Sequence, residues 1–206
     1  MTMNNEVLFR LLYTIAAIFM FAIRIYYQSR IKSVQSGTQE RGSRLHLIPG
    51  AIAALVTIVF GFEYIFAPGT FDFAYLIEYP TWLRWVGALM LAVGISLLWS
   101  AHHSLGMSFH SLVVQKEDQE LVKSGPYKWI RHPIYTAYFF NYIGGGLLAS
   151  NWVLTFIPVL CFGLMVHLRL GEEEAAMIEM FGDDYRQCMD RTGKFFPKLT
   201  GLRITL

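Results

Sequence analysis

Charged residues are scarce in this sequence, since Asp, Glu, Lys and Arg together make up 16% of its 206 residues. Soluble globular domains carry about 25% charged residues. Hydrophobic residues account for 54% of the chain and its mean hydropathy is +0.40. This composition excludes an ordinary soluble domain and indicates a membrane protein that forms one compact unit.

Cysteine is also scarce, and the sequence lacks both a zinc-binding cysteine pattern and a dinucleotide-binding glycine motif. Cys161 lies in an apolar stretch and Cys188 in a polar tail, so we predict two free thiols, without the paired spacing of a zinc site. No G-x-G-x-x-G follows a strand pattern, which excludes a Rossmann domain. The first apolar segment contains Glu6 and Arg10 and is followed by no small-residue cleavage site, so we expect it to remain attached.

Long apolar segments are what the chain does have. A hydrocarbon core of about 30 Å requires about 20 apolar residues in a helix. The sequence therefore predicts an all-α, multi-pass membrane helix bundle with about five transmembrane helices. The predicted spans are Val7 to Tyr27, Leu47 to Phe66, Trp82 to Ser100, Ile134 to Leu148 and Trp152 to Leu168.

The distribution of basic residues predicts the orientation, because Lys and Arg near span ends are retained in the cytoplasm. With the N-terminus outside, all of the seventeen Lys and Arg residues except Arg10 and Arg84 fall on the inner side. The C-terminal tail is then cytoplasmic as well. The pattern after the fifth span stays helical to Phe181, and Gly182 is a natural stop.

The first candidate site is the motif SGPYKWIRHPIY, Ser124 to Tyr135, at the inner start of the fourth span. Pro133 suits the first turn of a helix and pushes His132 out of helical geometry. The amides beyond Pro133 form a site for an anion, to which Arg131 and His132 add donors. Aromatic rings at Tyr127 and Tyr135 could hold a purine ring or a sulfonium. An interfacial belt that only anchors the helix end explains the motif equally well.

The second candidate site is RLGEEE, Arg169 to Glu174, at the inner end of the fifth span. Three consecutive acids cover roughly 200° of a helix, so at least one should face the bundle. Arg169 and Glu173 are four residues apart and can pair. A solvated run of charge is the alternative interpretation, but ionisable groups at a membrane boundary are costly enough to indicate a site.

Together these motifs resemble the isoprenylcysteine carboxyl methyltransferase family. The resemblance covers roughly Trp82 to Lys198, and phospholipid N-methyltransferases share much of it. It is carried by FHSLVVQ (Phe109 to Gln115), LVKSGPYKWIRHPIY (Leu121 to Tyr135), Arg169 with its following acids, FGDDY (Phe181 to Tyr185) and Pro197. It implies a single membrane methyltransferase domain, residues 1–206, in which 1–81 are N-terminal transmembrane helices and 82–206 form the cofactor-binding catalytic region.

The resemblance also implies S-adenosylmethionine as cofactor, bound on the cytoplasmic side and covered by the last segments. The catalytic residues implied are Arg169, Glu173 and Glu174, and Arg169 falls where the family contacts the acceptor. No metal is implied. By position, the cofactor-binding residues are Gln115, Gln119, Glu120, Leu121, Val122, Tyr127, His132, Pro133, Ile134, Tyr135 and Glu173.

The chemistry needs few groups, because methyl transfer from a sulfonium is an in-line displacement that depends on alignment and exclusion of water. Glu173 could neutralise the cofactor's ammonium group, and His132 with the helix start could take its carboxylate. Arg169 could orient a carboxylate or thiolate acceptor without a general base. An amine acceptor would need a proton acceptor, for which Glu174 is the candidate.

Other functions stay open on the sequence alone. His102, His103 and His110 suggest a metal-dependent oxidase, but two adjacent histidines on a helix cannot face one centre. A nicotinamide-dependent membrane reductase and a non-catalytic lipid-binding scaffold are further alternatives. We expect a lipophilic acceptor that arrives from the bilayer, contact with membrane lipids and no nucleic-acid partner. The membrane would be the cell inner membrane in a prokaryote or the endoplasmic reticulum in a eukaryote; the oligomeric state is open.

Overall fold

The structure is a computed structural model that describes residues 3–32, 46–106 and 121–198. These ranges contain six α-helices and two short 3-10 helices, at Asp72–Tyr75 and Gly125–Lys128. They contain no strand, only an isolated bridge between Ile130 and Gly193. The α-helices are α1 Met3–Lys32, α2 Leu47–Phe66, α3 Thr81–Leu105, α4 Pro133–Ala149, α5 Trp152–Phe181 and α6 Asp183–Arg191.

Each of the five predicted spans lies inside one helix. Four of these helices, α1, α2, α3 and α5, are long and apolar enough to cross a membrane. Helix α4 has 17 residues and is therefore about 25 Å long, slightly short of a hydrocarbon core of about 30 Å. The all-helical membrane architecture is confirmed, while a fifth span in α4 stays a prediction.

The ends of α4 and α5 follow from local sequence signals. Pro133 is the first residue of α4, and His132 before it has a non-helical backbone (φ −121°, ψ 59°), as predicted. Ser150 adopts a left-handed conformation at the end of α4, and the Asn151 side chain caps α5 by accepting from the Leu154 amide at 2.9 Å. The two helices therefore form a tight hairpin, and α5 ends at Phe181, directly before the predicted stop at Gly182.

Glycines allow α3 and α4 to pack closely. A Cβ atom at Gly87 would lie 2.7 Å from the Gly144 carbonyl oxygen, and one at Gly144 would lie 2.8 Å from the Gly87 carbonyl oxygen. Any side chain at either position would separate the backbones, as at other small-residue crossings in membranes. This contact fixes α4 against α3 in the middle of the bundle.

A buried ion pair joins the helices at the end of the bundle where α1, α3 and α5 begin, which we call the far end. The Arg84 side chain is 2% exposed and its Nη1 lies 2.7 Å from Glu6 Oε2. Arg84 also donates to the Leu148 carbonyl and to the Tyr64 hydroxyl. The opposite end, where α4 begins and α5 leaves the bundle, is called the site end below.

Candidate active site

Helix α5 carries the second motif beyond the apolar part of the bundle. With 30 residues it is about 45 Å long, so about three turns extend past a hydrocarbon core of about 30 Å. Glu173 and Glu174 lie at the start of this extension, and Arg169 lies one helical turn before it. They face the start of α4, because Tyr135 donates a 2.8 Å hydrogen bond to Glu173 and His132 lies 3.4 Å from Glu174. The two motifs, far apart in the chain, form one cluster at the site end.

The segment after α6 is fastened alongside the start of α4. The Gly193 amide donates to the Trp129 carbonyl at 3.0 Å, and the Arg131 amide donates to the Gly193 carbonyl at 2.9 Å. The His132 amide then donates to the Lys194 carbonyl at 3.1 Å. These bonds help to hold His132 in its non-helical backbone conformation, and they place the last described segment beside the cluster.

Glu174 holds three segments of the chain together. Its Oε1 lies 3.2 Å from Arg131 Nε and 3.4 Å from His132 Nε2, and its Oε2 lies 3.1 Å from Lys194 Nζ. The Glu174 side chain is only 13% exposed, so these contacts are poorly screened by water. Glu174 therefore fixes the positions of Arg131, His132 and Lys194 relative to α5.

Glu173 lies deeper in the cluster. Its Oε1 accepts the hydrogen bond of the Tyr135 hydroxyl and pairs with Arg169 one helical turn earlier, and its Oε2 lies 3.9 Å from His132 Nδ1. The i,i+4 pairing of Arg169 with Glu173 is as predicted. A carboxylate offers about four acceptor sites, so Glu173 retains capacity for a further donor while 15% exposed.

The rings of His132 and Tyr135 stack, with centroids 5.7 Å apart and planes 16° from parallel. Burial lowers the pKa of His132 below its usual value of 6.5, and the charges of Glu173 and Glu174 only partly offset this effect. His132 is therefore a neutral imidazole near pH 7. We assign the ring proton to Nε2, because this nitrogen lies 3.4 Å from Glu174 Oε1. The other ring nitrogen, Nδ1, is then an acceptor.

Tyr127 forms another wall of the cluster. Burial and the nearby negative charge of Glu173 raise the pKa of its hydroxyl, which is therefore protonated at neutral pH. Tyr127 belongs to the 3-10 helix Gly125–Lys128, which packs on the last turn of α3 because Gly125 lies directly against Ser104. The aromatic face predicted for this position is thus held between α3 and α5.

Of the predicted site residues, the structure brings Tyr127, His132, Tyr135, Arg169, Glu173 and Glu174 together. Pro133 is buried at the start of α4, and the Ile134 side chain packs against the apolar cluster of Ile23, Leu98 and Ala137. Leu121 and Val122 lie partly buried ahead of the 3-10 helix. Gln115, Gln119 and Glu120 lie outside the described residues.

Two basic residues differ from the sequence interpretation. Arg131, which we expected to offer donors to an anion, instead bonds Glu174 and the Thr192 carbonyl, the latter at 2.6 Å. Lys194 was not singled out, because nothing in the sequence links a lysine after α6 to an acid on α5. Both residues support the cluster from outside.

Known proteins resemble this chain in sequence and in fold. Residues 85–179 match the model of the isoprenylcysteine carboxyl methyltransferase (ICMT) family. The protein-S-isoprenylcysteine O-methyltransferase of Mus musculus is 32% identical over 165 residues, covering 78% of this chain and 56% of that protein. The Homo sapiens protein of the same name is 31% identical over 165 residues, covering 78% and 55%. The chain thus spans about half the length of these curated relatives.

A solved structure, of the eukaryotic intramembrane Ras methyltransferase ICMT, has the same fold with a TM-score of 0.56. It is 22% identical in sequence, and the match covers 87% of this chain and 64% of that one. This likeness and the apolar helices define an intramembrane helical protein with the fold of that structure. The family assignment made from the motifs is confirmed: residues 85–179 form an isoprenylcysteine carboxyl methyltransferase family segment.

Proposed function

We propose that this protein is an S-adenosylmethionine-dependent methyltransferase that methylates the carboxylate of a lipophilic acceptor. The observation that carries the proposal is the cluster of His132, Tyr135, Arg169 and Glu173 at the boundary between α4 and the extension of α5. All four residues fall in the predicted catalytic region, residues 82–206. The curated relatives are named protein-S-isoprenylcysteine O-methyltransferases, which supports this type of reaction.

The cluster fits the amino-acid end of such a cofactor. Glu173 supplies a poorly exposed carboxylate for an ammonium group. The first intrahelical bond of α4 runs from the Thr136 amide to the His132 carbonyl, so the amides of Ile134 and Tyr135 precede it and can receive a carboxylate. The rings of Tyr127 and Tyr135 offer faces to a sulfonium. S-adenosylmethionine would supply an electrophilic methyl group there.

Arg169 is the group we assign to the acceptor. Its side chain is 38% exposed and starts one helical turn nearer the bilayer than Glu173. A guanidinium can hold a carboxylate by paired hydrogen bonds while Glu173 fixes its direction. An ionised carboxylate held by Arg169 in this way would need no proton removed before it accepts a methyl group from a sulfonium.

An aromatic face of α4 leads from this cluster into the bundle. Tyr135, Tyr138 and Tyr142 share one side of α4, and each ring contacts Phe162 of α5 at centroid distances between 5.3 and 5.9 Å. All three tyrosines are only partly buried. We assign this face to the hydrocarbon part of the acceptor, which would arrive from the bilayer.

The surroundings of Glu174 favour a carboxylate acceptor over an amine. An amine would require a proton acceptor, the role predicted for Glu174. Arg131, Lys194 and His132 all bond this carboxylate, which makes it a weak base. We therefore assign Glu174 a positioning role when the acceptor is a carboxylate, and place the site on the cytoplasmic side from the charge distribution.

Methyl transfer can be tested directly with purified protein and methyl-labelled S-adenosylmethionine. The acceptors would be an S-isoprenylated cysteine with a free carboxylate, its methyl ester, and a membrane lipid extract. We expect label in a base-labile ester for the free acid and none for the ester. Label only in base-stable products would overturn carboxyl methylation, and absence of any transfer would overturn the proposed activity.

Variants of Arg169 test whether this residue positions the acceptor or only stabilises the fold. Arg169→Ala should lose most of the transfer activity, and Arg169→Lys should keep only part of it, because lysine cannot form paired bonds with a carboxylate. Arg186→Lys is the matched control, since Arg186 is 65% exposed on α6 and pairs only with Asp183. Full activity in Arg169→Ala would remove the acceptor role.

A further inference from the structure

A cavity at the site end, apart from the cluster, has a basic lining. Its volume is about 280 Å³, and it lies between the 3-10 helix Gly125–Lys128 and α6. Its basic lining residues are Lys123, Lys128 and Arg191, and Asp184 is its acidic one. Tyr127, Gln187, Cys188 and Thr192 complete the wall. We call it the basic crevice.

Within the part of the chain that the structure describes, the lining of the basic crevice carries a net positive charge, because three basic side chains face one acidic one. Within the described ranges no carboxylate lies within ion-pair distance of Lys123, Lys128 or Arg191, whereas Arg131, Arg169 and Lys194 of the neighbouring cluster are all paired. Three like charges around one small cavity repel each other, and the single carboxylate of Asp184 offsets this only in part, so an anion among them would be favourable.

The height of the basic crevice matches the headgroup region of a bilayer. The 3-10 helix lies against Ser104, in the last turn of α3, where this helix of 25 residues passes the edge of a hydrocarbon core of about 30 Å. Trp129 follows directly and is 56% exposed, and Lys128 Nζ lies 5.5 Å from the centroid of its ring. An exposed Trp beside a Lys is typical of the interface between lipid and water.

We propose that the basic crevice binds the phosphoryl headgroup of an anionic membrane lipid. The charge, the volume and the depth agree with this ligand, and basic recesses at the cytoplasmic ends of spans recognise such headgroups. The lipid is a ligand here and undergoes no reaction. Tyr127 separates the basic crevice from Glu173, so a bound headgroup would hold the 3-10 helix against α6 next to the active site.

The test is equilibrium binding to protein purified in a neutral detergent, with phosphatidylglycerol and phosphatidylcholine of equal chain length as probes. We expect at least tenfold tighter binding of phosphatidylglycerol. Each basic residue near an anionic headgroup is expected to contribute about fivefold, so the double variant Lys128→Gln with Arg191→Gln should weaken it about 25-fold. Phosphatidylcholine binding should not change.

Arg186→Gln is the matched control, because it removes one charge from the other side of α6 and Arg186 does not line the basic crevice. The single variant Arg191→Gln serves if the double variant does not fold, and it should still lose about fivefold. Equal binding of the two lipids, or an equal loss in Arg186→Gln, would overturn the proposal. Displacement of the lipid by millimolar inorganic phosphate would assign the site to a soluble anion instead.

This measurement does not depend on methyl transfer. Specific lipid binding in a protein that transfers no methyl group would leave the proposal for the basic crevice standing and refute the proposed activity. Methyl transfer without preference for the anionic lipid would support the proposed activity and refute the proposal for the basic crevice.

Discussion

Substitution of Glu173 by Gln tests the assignment of the cofactor's ammonium group. The amide keeps the shape of the side chain and an oxygen that can accept from Tyr135, which now donates to Glu173 at 2.8 Å. What is lost is the negative charge. Arg169, the other partner, has a side chain 38% exposed, and exposed ion pairs contribute only about 0–1 kcal/mol to stability. The variant should therefore fold.

The effect on binding follows from the type of bond removed. A hydrogen bond to a charged group contributes about 1.5–3 kcal/mol, and each 1.4 kcal/mol is a factor of ten in affinity. Glu173→Gln should therefore weaken binding of S-adenosylhomocysteine about 10- to 150-fold. This ligand has the same amino-acid end as the methyl donor and cannot react, so the measurement reports binding alone.

The assay is calorimetric titration of detergent-solubilised protein with S-adenosylhomocysteine. Glu172→Gln is the matched control, because it makes the same change at the preceding position, whose side chain is exposed. It should alter the affinity by no more than about twofold, the usual range for a surface substitution. Wild-type affinity in Glu173→Gln, or an equal loss in Glu172→Gln, would refute the reasoning.

Three further predictions concern packing, pH and the far end. Gly144→Ala should lower the unfolding midpoint, because overpacking at this contact costs about 1–3 kcal/mol of stability. Gly163→Ala is the control and should leave the midpoint unchanged, since its Cβ would make only an ordinary contact at 3.9 Å. Equal midpoints in the two variants would contradict the packing role of Gly144. The lowered pKa of His132 means that its contribution to stability is present above pH 6.5 and lost as the pH falls through the folded-state pKa. Unfolding of a His132→Asn variant should accordingly depend less on pH below 6.5, and an unchanged pH profile would argue against a buried neutral His. Glu6→Ala removes the partly exposed carboxylate that pairs with the buried Arg84 and should cost about 1.5–3 kcal/mol of stability, the range for hydrogen bonds to a charged group. Cofactor affinity should stay at the wild-type value, and a loss of affinity would show that the far end is coupled to the site.

The sequence predicts the helices well, because each span is recognisable as a long run of hydrophobic residues. The ends that carry strong local signals were predicted best: Pro133 at the start of α4 and Gly182 after α5. Helices α1 and α3 run beyond the predicted spans into polar residues, while the candidate membrane span in α1 ends at Tyr27, as predicted. Composition does not mark the end of a helix that leaves the hydrocarbon but stays helical.

The main residues of the site could be found because they occur as two compact motifs. The link between them could not, since it depends on the hydrogen bond from Tyr135 to Glu173 and on the contacts of Glu174 with residues before α4 and after α6. Lys194 and the backbone bonds of Gly193 join the cluster only after the chain has folded back from α6. No periodicity or spacing in a single sequence encodes such a contact.

Arg84 shows the same limit at the far end. The rule that basic residues stay in the cytoplasm leaves Arg84 as one of two basic residues on the outer side of the membrane. In the structure its side chain is almost fully buried and bonded to Glu6, Tyr64 and Leu148 of three other helices. A buried pair depends on geometry in three dimensions, so it escapes a rule that considers each charge alone.

A structure determined with bound S-adenosylhomocysteine would test the central claim most directly. We predict that the ammonium group of the ligand lies within hydrogen-bond distance of Glu173, and its carboxylate at the start of α4 beside His132. A ligand found in the basic crevice, or anywhere else away from this cluster, would contradict the account.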